Sequence, residues 1–230
     1  MKLDVARIQA VCFDVDGTLR DTDDTLVLSL TGWLRLVQYV YKPFNPRSFA
    51  RRLVMAIENP GSYLFGLPDR MGIDGWLAAA GNLINRSRIS RTGKHAIIPG
   101  VREMLAELHL HYLLAIVSAR GERKTIEFLE QFELLPYFKA IATAQTTRHT
   151  KPYPDPILWV AQKMGVPPED CLMVGDTTVD IRAGVSAGAQ TAAVLCGFGQ
   201  EEELRQAGSD LILADPTQLI TILLAKPLTK

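Results

Sequence analysis

Six short runs of apolar and β-branched residues, at 10–13, 113–117, 140–143, 171–174, 191–195 and 210–213, recur between stretches of helical periodicity. From Pro99 onward the two patterns alternate, and strand–helix alternation implies a parallel sheet covered by helices on both faces. Helix boundaries fit this reading. Pro99 is placed for a first helical turn, Asp155 followed by Pro156 reads as an N-cap and first-turn pair, and Gly188 follows a helical pattern that begins near Thr178. The expected fold is a doubly covered α/β sheet.

Residues 22–94 break the alternation, because no further strand candidate appears there. Leu26, Leu30, Trp33, Val37 and Val40 share one helical face, and Phe49, Leu53 and Ile57 begin another. Glycine and proline mark 59–72 as a loop, and a third helix is expected over 74–88. The chain therefore reads as a core of 1–21 and 95–230 with an inserted helical unit at 22–94. That insert holds ten Lys+Arg against five Asp+Glu, in a chain whose totals balance at 25 and 25. A positive insert over an acidic site would steer anionic substrates. The alternative is that these charges only solvate helix faces.

With zero formal net charge the chain lacks the basic excess of a general nucleic-acid binder. No apolar stretch approaches the roughly 18 residues of a membrane span, and an N-terminus with Lys2, Asp4 and Arg7 lacks a signal peptide's apolar segment. A cytoplasmic protein with neither nucleic acid nor membrane as partner is expected. Cys12, Cys171 and Cys196 form no CxxC pair and sit in apolar runs, so they read as small buried hydrophobes.

The chemistry concentrates at strand ends. The first strand runs into Asp14-Val15-Asp16-Gly17-Thr18-Leu19, placing two carboxylates and a flexible glycine at a carboxyl edge, where open α/β sheets bind ligands. Alternation along extended chain lets Asp14 and Asp16 face one pocket, while Gly17 lets backbone N–H groups approach a ligand. A second acidic pair, Asp176 and Asp180, follows the strand at 171–174, with a spacing that returns both to one side if a helix begins between them. Clustered carboxylates repel one another unless a cation sits among them. Oxygen ligands without histidine or thiol suit a hard metal, and Mg²⁺ takes carboxylates, waters and a substrate phosphate.

Ser118 ends the strand at 113–117, where it is either a helix cap or part of an oxyanion site. Lys151 opens a segment stiffened by Pro152, Pro154 and Pro156, which could hold its ammonium against a phosphate. Gly184-Val185-Ser186-Ala187-Gly188 matches the G-x-S-x-G pattern of serine hydrolases, but its context is helical and all four histidines precede it, so Ser186 is set aside. There is no Walker A motif.

These motifs in this order, DxDGT, a strand-end Ser, a Lys before Pro, and GDxxxD, resemble the haloacid dehalogenase superfamily across the chain, with phosphoglycolate phosphatase-like members nearest in pattern. The resemblance implies a Rossmann-like sheet with the strands of the first, second and fourth motifs side by side, and makes the insert a small α-helical cap. It implies Mg²⁺-dependent hydrolysis of a small phosphomonoester through a phosphoaspartyl intermediate. Asp14 would be the nucleophile and Asp16 the acid and then the base. Asp14, the Asp16 carbonyl and Asp176 would bind Mg²⁺, with Asp180 at or just behind them, and Ser118 and Lys151 would hold phosphoryl oxygens. The rival on the same core is a sugar-phosphate mutase. A haloacid dehalogenase fits less well, since halide departure needs neither Mg²⁺ nor an acid at 16, and intact motifs argue against a non-catalytic regulatory protein. Arg20 departs from the family's pattern, which usually has a smaller or uncharged residue at the cap hinge. Arg47, Arg51 and Arg70 are candidate cap residues for the small phosphorylated substrate.

Overall fold

The structure is a computed structural model that describes residues 3–21 and 96–225. The chain divides into two units, Met1–Thr22 with Ala96–Lys230, and Asp23–His95. The helices and loop expected within 22–94, and Arg47, Arg51 and Arg70 with them, lie outside the described residues.

In the first unit, β1 (Ala10–Phe13), β4 (Leu113–Val117), β5 (Phe138–Ala142), β6 (Cys171–Gly175), β7 (Gln190–Val194) and β8 (Leu211–Leu213) form one sheet in the order β5-β4-β1-β6-β7-β8. Every pairing is parallel, as the alternation requires. Six helices accompany it: α1 (Val101–Leu108), α2 (Glu122–Gln131), α3 (Asp155–Met164), α4 (Thr178–Ala187), α5 (Glu201–Gln206) and α6 (Leu219–Leu223).

Side-chain alternation along the strands sorts the core onto two faces. Val11, Phe13, Leu114, Ile116, Leu172 and Val174 pack in one cluster with residues of α1, α2 and α6. Ala10, Cys12, Ala115, Val117, Cys171 and Met173 pack in another with Ile157, Val160 and Ala161 of α3 and Ala183 of α4. Both faces are covered, so the central strands β1, β4 and β6 are apolar runs and the polar work falls to their carboxyl ends. The order of the strands places β1 between β4 and β6, the topological position at which such sheets open a crevice.

Several boundaries differ from the sequence reading. The helix after Pro99 starts at Val101, because Gly100, at φ 82°, turns the chain and takes the N-cap place. Asp155 is the first residue of α3 rather than its cap; its carboxylate pairs with Nδ1 of His149 at 2.9 Å, and Pro154 takes the cap place. Strands β5 and β7 begin earlier than expected and β8 one residue later. A two-stranded antiparallel ribbon, β2 (Arg20–Asp21) with β3 (Ala96–Ile97), has no counterpart in the sequence reading; it pairs Arg20 with Ile97 and Asp21 with Ala96. Cys12 and Cys171 are buried, but Cys196 is exposed. Its thiol nevertheless points inward, donating to the Gly17 carbonyl at 3.3 Å, and partial desolvation of the sulfur, with Asp176 adding to it, pushes its pKa up to about 12. Ser186 lies within α4, as expected.

Candidate active site

Asp14 immediately follows β1, and its N–H donates to the Val174 carbonyl of β6 at 2.9 Å, so the sheet ladder itself fixes the residue. The chain then turns at once. The N–H groups of Leu19 and Arg20 donate to the Val15 carbonyl at 3.0 and 2.8 Å, and Gly17 N–H donates back to the Arg20 carbonyl at 2.9 Å. This turn needs φ +81° at Gly17, and a Cβ there would lie 2.3 Å from Asp176 Oδ2.

Lys151 joins two of the acidic motifs. Its Nζ donates to Asp14 Oδ1 and to Asp180 Oδ1, each at 2.6 Å, and its side chain is 3% exposed. Asp180 does two things at once. Its Oδ2 accepts from Thr177 N–H and Thr177 Oγ1–H, completing a capping box at the start of α4, while Oδ1 takes the lysine. The helix cap and the lysine contact thus use different oxygens of one carboxylate.

Asp176 follows β6 and is fully buried. Its Oδ2 accepts from Phe198 N–H at 2.7 Å, and its carbonyl accepts from Gly199 N–H at 2.9 Å. A Cβ on Gly197 would fall 2.1 Å from Asp176 Oδ2, so Gly17 and Gly197 let two loops close on the carboxylate. Oδ1 of Asp176 is buried with no hydrogen-bond partner.

Asp14, Asp176 and Asp180 each present an oxygen within 4.8 Å of the others. A buried carboxylate oxygen without a donor, in a trio served by one ammonium, is a set that a hard divalent cation satisfies. The residues therefore fit Mg²⁺. The electrostatics agree. Burial raises Asp14 to about 7 against the opposing pull of Lys151, with Asp180 and Asp16 adding to the rise. Burial likewise raises Asp176, with Asp180 and Asp14 adding to it. Lys151 is held above its ordinary value, since Asp14 and Asp180 outweigh the burial that disfavours its charge.

Asp16 lies apart from this trio. Its Oδ1 accepts from Arg20 Nη1 at 2.7 Å and from Arg120 Nη1 at 3.1 Å. Arg120 stands two residues beyond Ser118, whose Oγ accepts from Arg120 N–H at 3.2 Å; Ser118 itself is buried. Ser118 thus shapes the loop after β4. Lys151 is brought together with Asp14 and Asp180, whereas Asp16 is joined to none of the other five residues by a side-chain hydrogen bond among those described.

The sequence pattern marks Gly197-Phe198-Gly199 as part of the family resemblance and Thr177 within the fourth motif, but it gives neither these nor Arg120 a role at the site. An arginine two positions after a strand-end hydroxyl, and the threonine of a T-x-x-D cap, were signals open to it. The backbone of Gly197 and Phe198 comes to Asp176 only through the sheet.

A family model described as haloacid dehalogenase-like hydrolase matches residues 11–194. A pyrophosphatase PpaX from Oceanobacillus iheyensis is 30% identical over 221 residues, covering 94% of this chain and 96% of that one. Among solved structures, a haloacid dehalogenase-like hydrolase from Streptococcus pneumoniae aligns with TM-score 0.69 at 22% identity, over 94% of this chain and 99% of that one. A protein described as a predicted phosphoglycolate phosphatase from Haemophilus somnus aligns with TM-score 0.66 at 22% identity, over 94% and 98%. These two likenesses show the fold.

Proposed function

Because the chain belongs to the haloacid dehalogenase-like hydrolase family, we propose that it is a Mg²⁺-dependent phosphatase in which Asp14 attacks the phosphoryl group of a small substrate. The observation that carries this is the buried ammonium of Lys151 shared at 2.6 Å between Asp14 and Asp180, beside an Asp176 oxygen with no donor. A carboxylate attacks an anionic phosphoryl group only where positive charge offsets the repulsion. Lys151 supplies one charge and also orients Asp14 Oδ1. Asp14, Asp176 and the Asp16 carbonyl, with Asp180 at or just behind them, would hold Mg²⁺, which would supply the remaining positive charge and Lewis acidity.

In the first step an Asp14 oxygen forms a bond to phosphorus, the bond from phosphorus to the leaving oxygen breaks, and Asp16 gives that oxygen its proton. In the second, Asp16 takes a proton from water, the water oxygen attacks phosphorus, and Asp14 leaves as the carboxylate, releasing phosphate. Ser118 and Lys151 hold the phosphoryl oxygens. In this reading 22–94 is the family's helical cap unit and 1–21 with 95–230 is the catalytic core. No helix among the described residues is long and apolar enough to cross a membrane.

The expected substrate is a small phosphomonoester. A diphosphate is a second reading, favoured by the name of the 30%-identical relative. Phosphate release from 2-phosphoglycolate and from inorganic pyrophosphate, after EDTA and again after added Mg²⁺, tests both. Release is expected to stop with EDTA and return with Mg²⁺; release from neither substrate, or release undiminished by chelation, contradicts the reading.

A further inference from the structure

Asp16 is held by more positive charge than one carboxylate needs. Arg20 and Arg120 both reach its Oδ1, at 2.7 and 3.1 Å, with side chains only 14% and 12% exposed. One guanidinium suffices to orient a carboxylate, and a second beside it costs like-charge repulsion unless an anion is shared. The cluster keeps one surplus positive charge among the described residues. It also keeps an unused donor, because Nε of Arg20 is buried without a hydrogen-bond partner.

The backbone gives this pair little freedom. Arg20 is pinned by its N–H to Val15 and its carbonyl to Gly17, and Arg120 by its N–H to Ser118 and its carbonyl to Ala144 N–H at 2.9 Å. Both therefore stand beside the group that protonates the leaving oxygen, on the opposite side of the site's charge balance from the trio around Lys151.

We propose that Arg20 and Arg120 form the subsite for the departing half of the substrate and select leaving groups that carry their own anion, a carboxylate or a second phosphate. This rests on the phosphatase reading of Asp14 and Asp16. A leaving group whose bridging oxygen meets Asp16 brings its next substituent within reach of the two guanidiniums. An anionic substituent there takes the surplus charge and the free Nε donor. A neutral hydroxyl takes neither, so the pair discriminates by charge rather than by size.

The test uses 2-phosphoglycolate and 2-hydroxyethyl phosphate, whose leaving groups are primary alkoxides of similar size that differ in one carboxylate. We expect wild-type kcat/KM with Mg²⁺ to favour phosphoglycolate by about tenfold or more. Arg20→Gln and Arg120→Gln should each cut that ratio by about tenfold, the size of one hydrogen bond to a charged group. Arg20→Lys should keep part of it. Inorganic pyrophosphate, as a third substrate, distinguishes the anions: whichever of carboxylate and phosphate the glutamine variants penalise is the one the pair accepts. Arginines that only orient Asp16 would lower both alkoxide substrates equally, since both need the same proton, and equal losses overturn the proposal. So does a wild type that prefers neither phosphoglycolate nor pyrophosphate to the neutral ester. Should Arg20→Gln not fold, by its melting curve, Arg120→Gln makes the same measurement. Failure of the phosphatase reading is distinct: the wild type then releases phosphate from none of the three, and the subsite falls with it.

Discussion

Two halves of one strand-end cluster handle charge in opposite ways. Around Lys151, three buried carboxylates lie together, two of them paired with one ammonium, and one oxygen of the third, Asp176, has no donor. Around Asp16, one carboxylate oxygen receives two guanidiniums. The first half is short of positive charge and fits a cation; the second has positive charge to spare and fits an anion. A phosphoryl group attached to a charged leaving group would need both. The contrast arises from where the strands end. Asp14 and Asp176 follow two central strands of a sheet covered on both faces, Asp180 stands in the first turn of α4 beside them, and burial makes each negative charge costly. Asp16 stands two residues further on, in the turn that leads into the short ribbon, within reach of Arg20 on that ribbon and Arg120 in the loop after β4.

If the first half is as short of charge as this, removing the ammonium of Lys151, the only one there among the described residues, should have the largest effect on stability. Lys151→Met leaves Asp14 and Asp180 without their partner, and in metal-free protein the expected loss is about 3–5 kcal/mol. Urea unfolding measures it, and Mg²⁺ should restore part of the loss. A loss below about 1 kcal/mol would mean that the carboxylates do not depend on the lysine.

A smaller effect is expected where the cradle of Asp176 is filled. In Gly197→Ala the added Cβ meets Asp176 Oδ2 at 2.1 Å, so the loop must shift at a cost of about 1–3 kcal/mol. Displacing that carboxylate should also raise the Mg²⁺ concentration needed for half-maximal activity. Gly165→Ala, where nothing lies within 4 Å of the new Cβ but φ is +71°, is the control for backbone strain without a displaced carboxylate. An unchanged Mg²⁺ requirement in Gly197→Ala would separate Asp176 from the metal.

A third effect is spread over pH rather than set by one contact. Asp14 is raised from 3.8 to about 7, chiefly by burial, so the folded state holds a proton that the unfolded chain has already lost. Its contribution to stability is complete below pH 4 and is lost as pH rises through about 7. Asp14→Asn lacks that contribution, so metal-free Asp14→Asn should gain stability relative to wild type as pH goes from 4 to 7 and then level off. Parallel melting-temperature profiles for the two proteins would show that Asp14 does not carry the buried charge. Mg²⁺ should flatten the wild-type slope by favouring the ionised carboxylate.

Much of this arrangement was legible in the sequence, and the exceptions have physical causes. β1 and β4 were read to the residue, because a strand buried on both faces leaves an uninterrupted apolar run. β7 was read one residue late because it starts with Gln190, a polar residue satisfied by the backbone N–H and carbonyl of Asp4, 186 positions away. The β2–β3 ribbon has two residues per strand, too few for any period. Asp14 and Asp176 stand at strand ends, Asp180 in the helical turn that follows and Lys151 beside a proline, where the pattern points to them. Arg120 sits in a loop with no pattern, and only its distance to Asp16 singles it out. Arg20 stood out in sequence as a departure, but its partner did not.

The central claim is that Asp14 is the nucleophile and Asp16 its acid and base. In Asp16→Asn, nitrophenolate can leave p-nitrophenyl phosphate without a proton, but the water that should follow has no base, a loss of about 10²- to 10⁴-fold in the second step. Rapid mixing of Asp16→Asn with p-nitrophenyl phosphate and Mg²⁺, read by nitrophenolate absorbance and intact mass, tests this most directly. The account predicts a burst of about one nitrophenolate per site, slow turnover after it, and a mass increase of one phosphoryl group that Asp14→Asn never acquires. A linear time course on unmodified protein would contradict it.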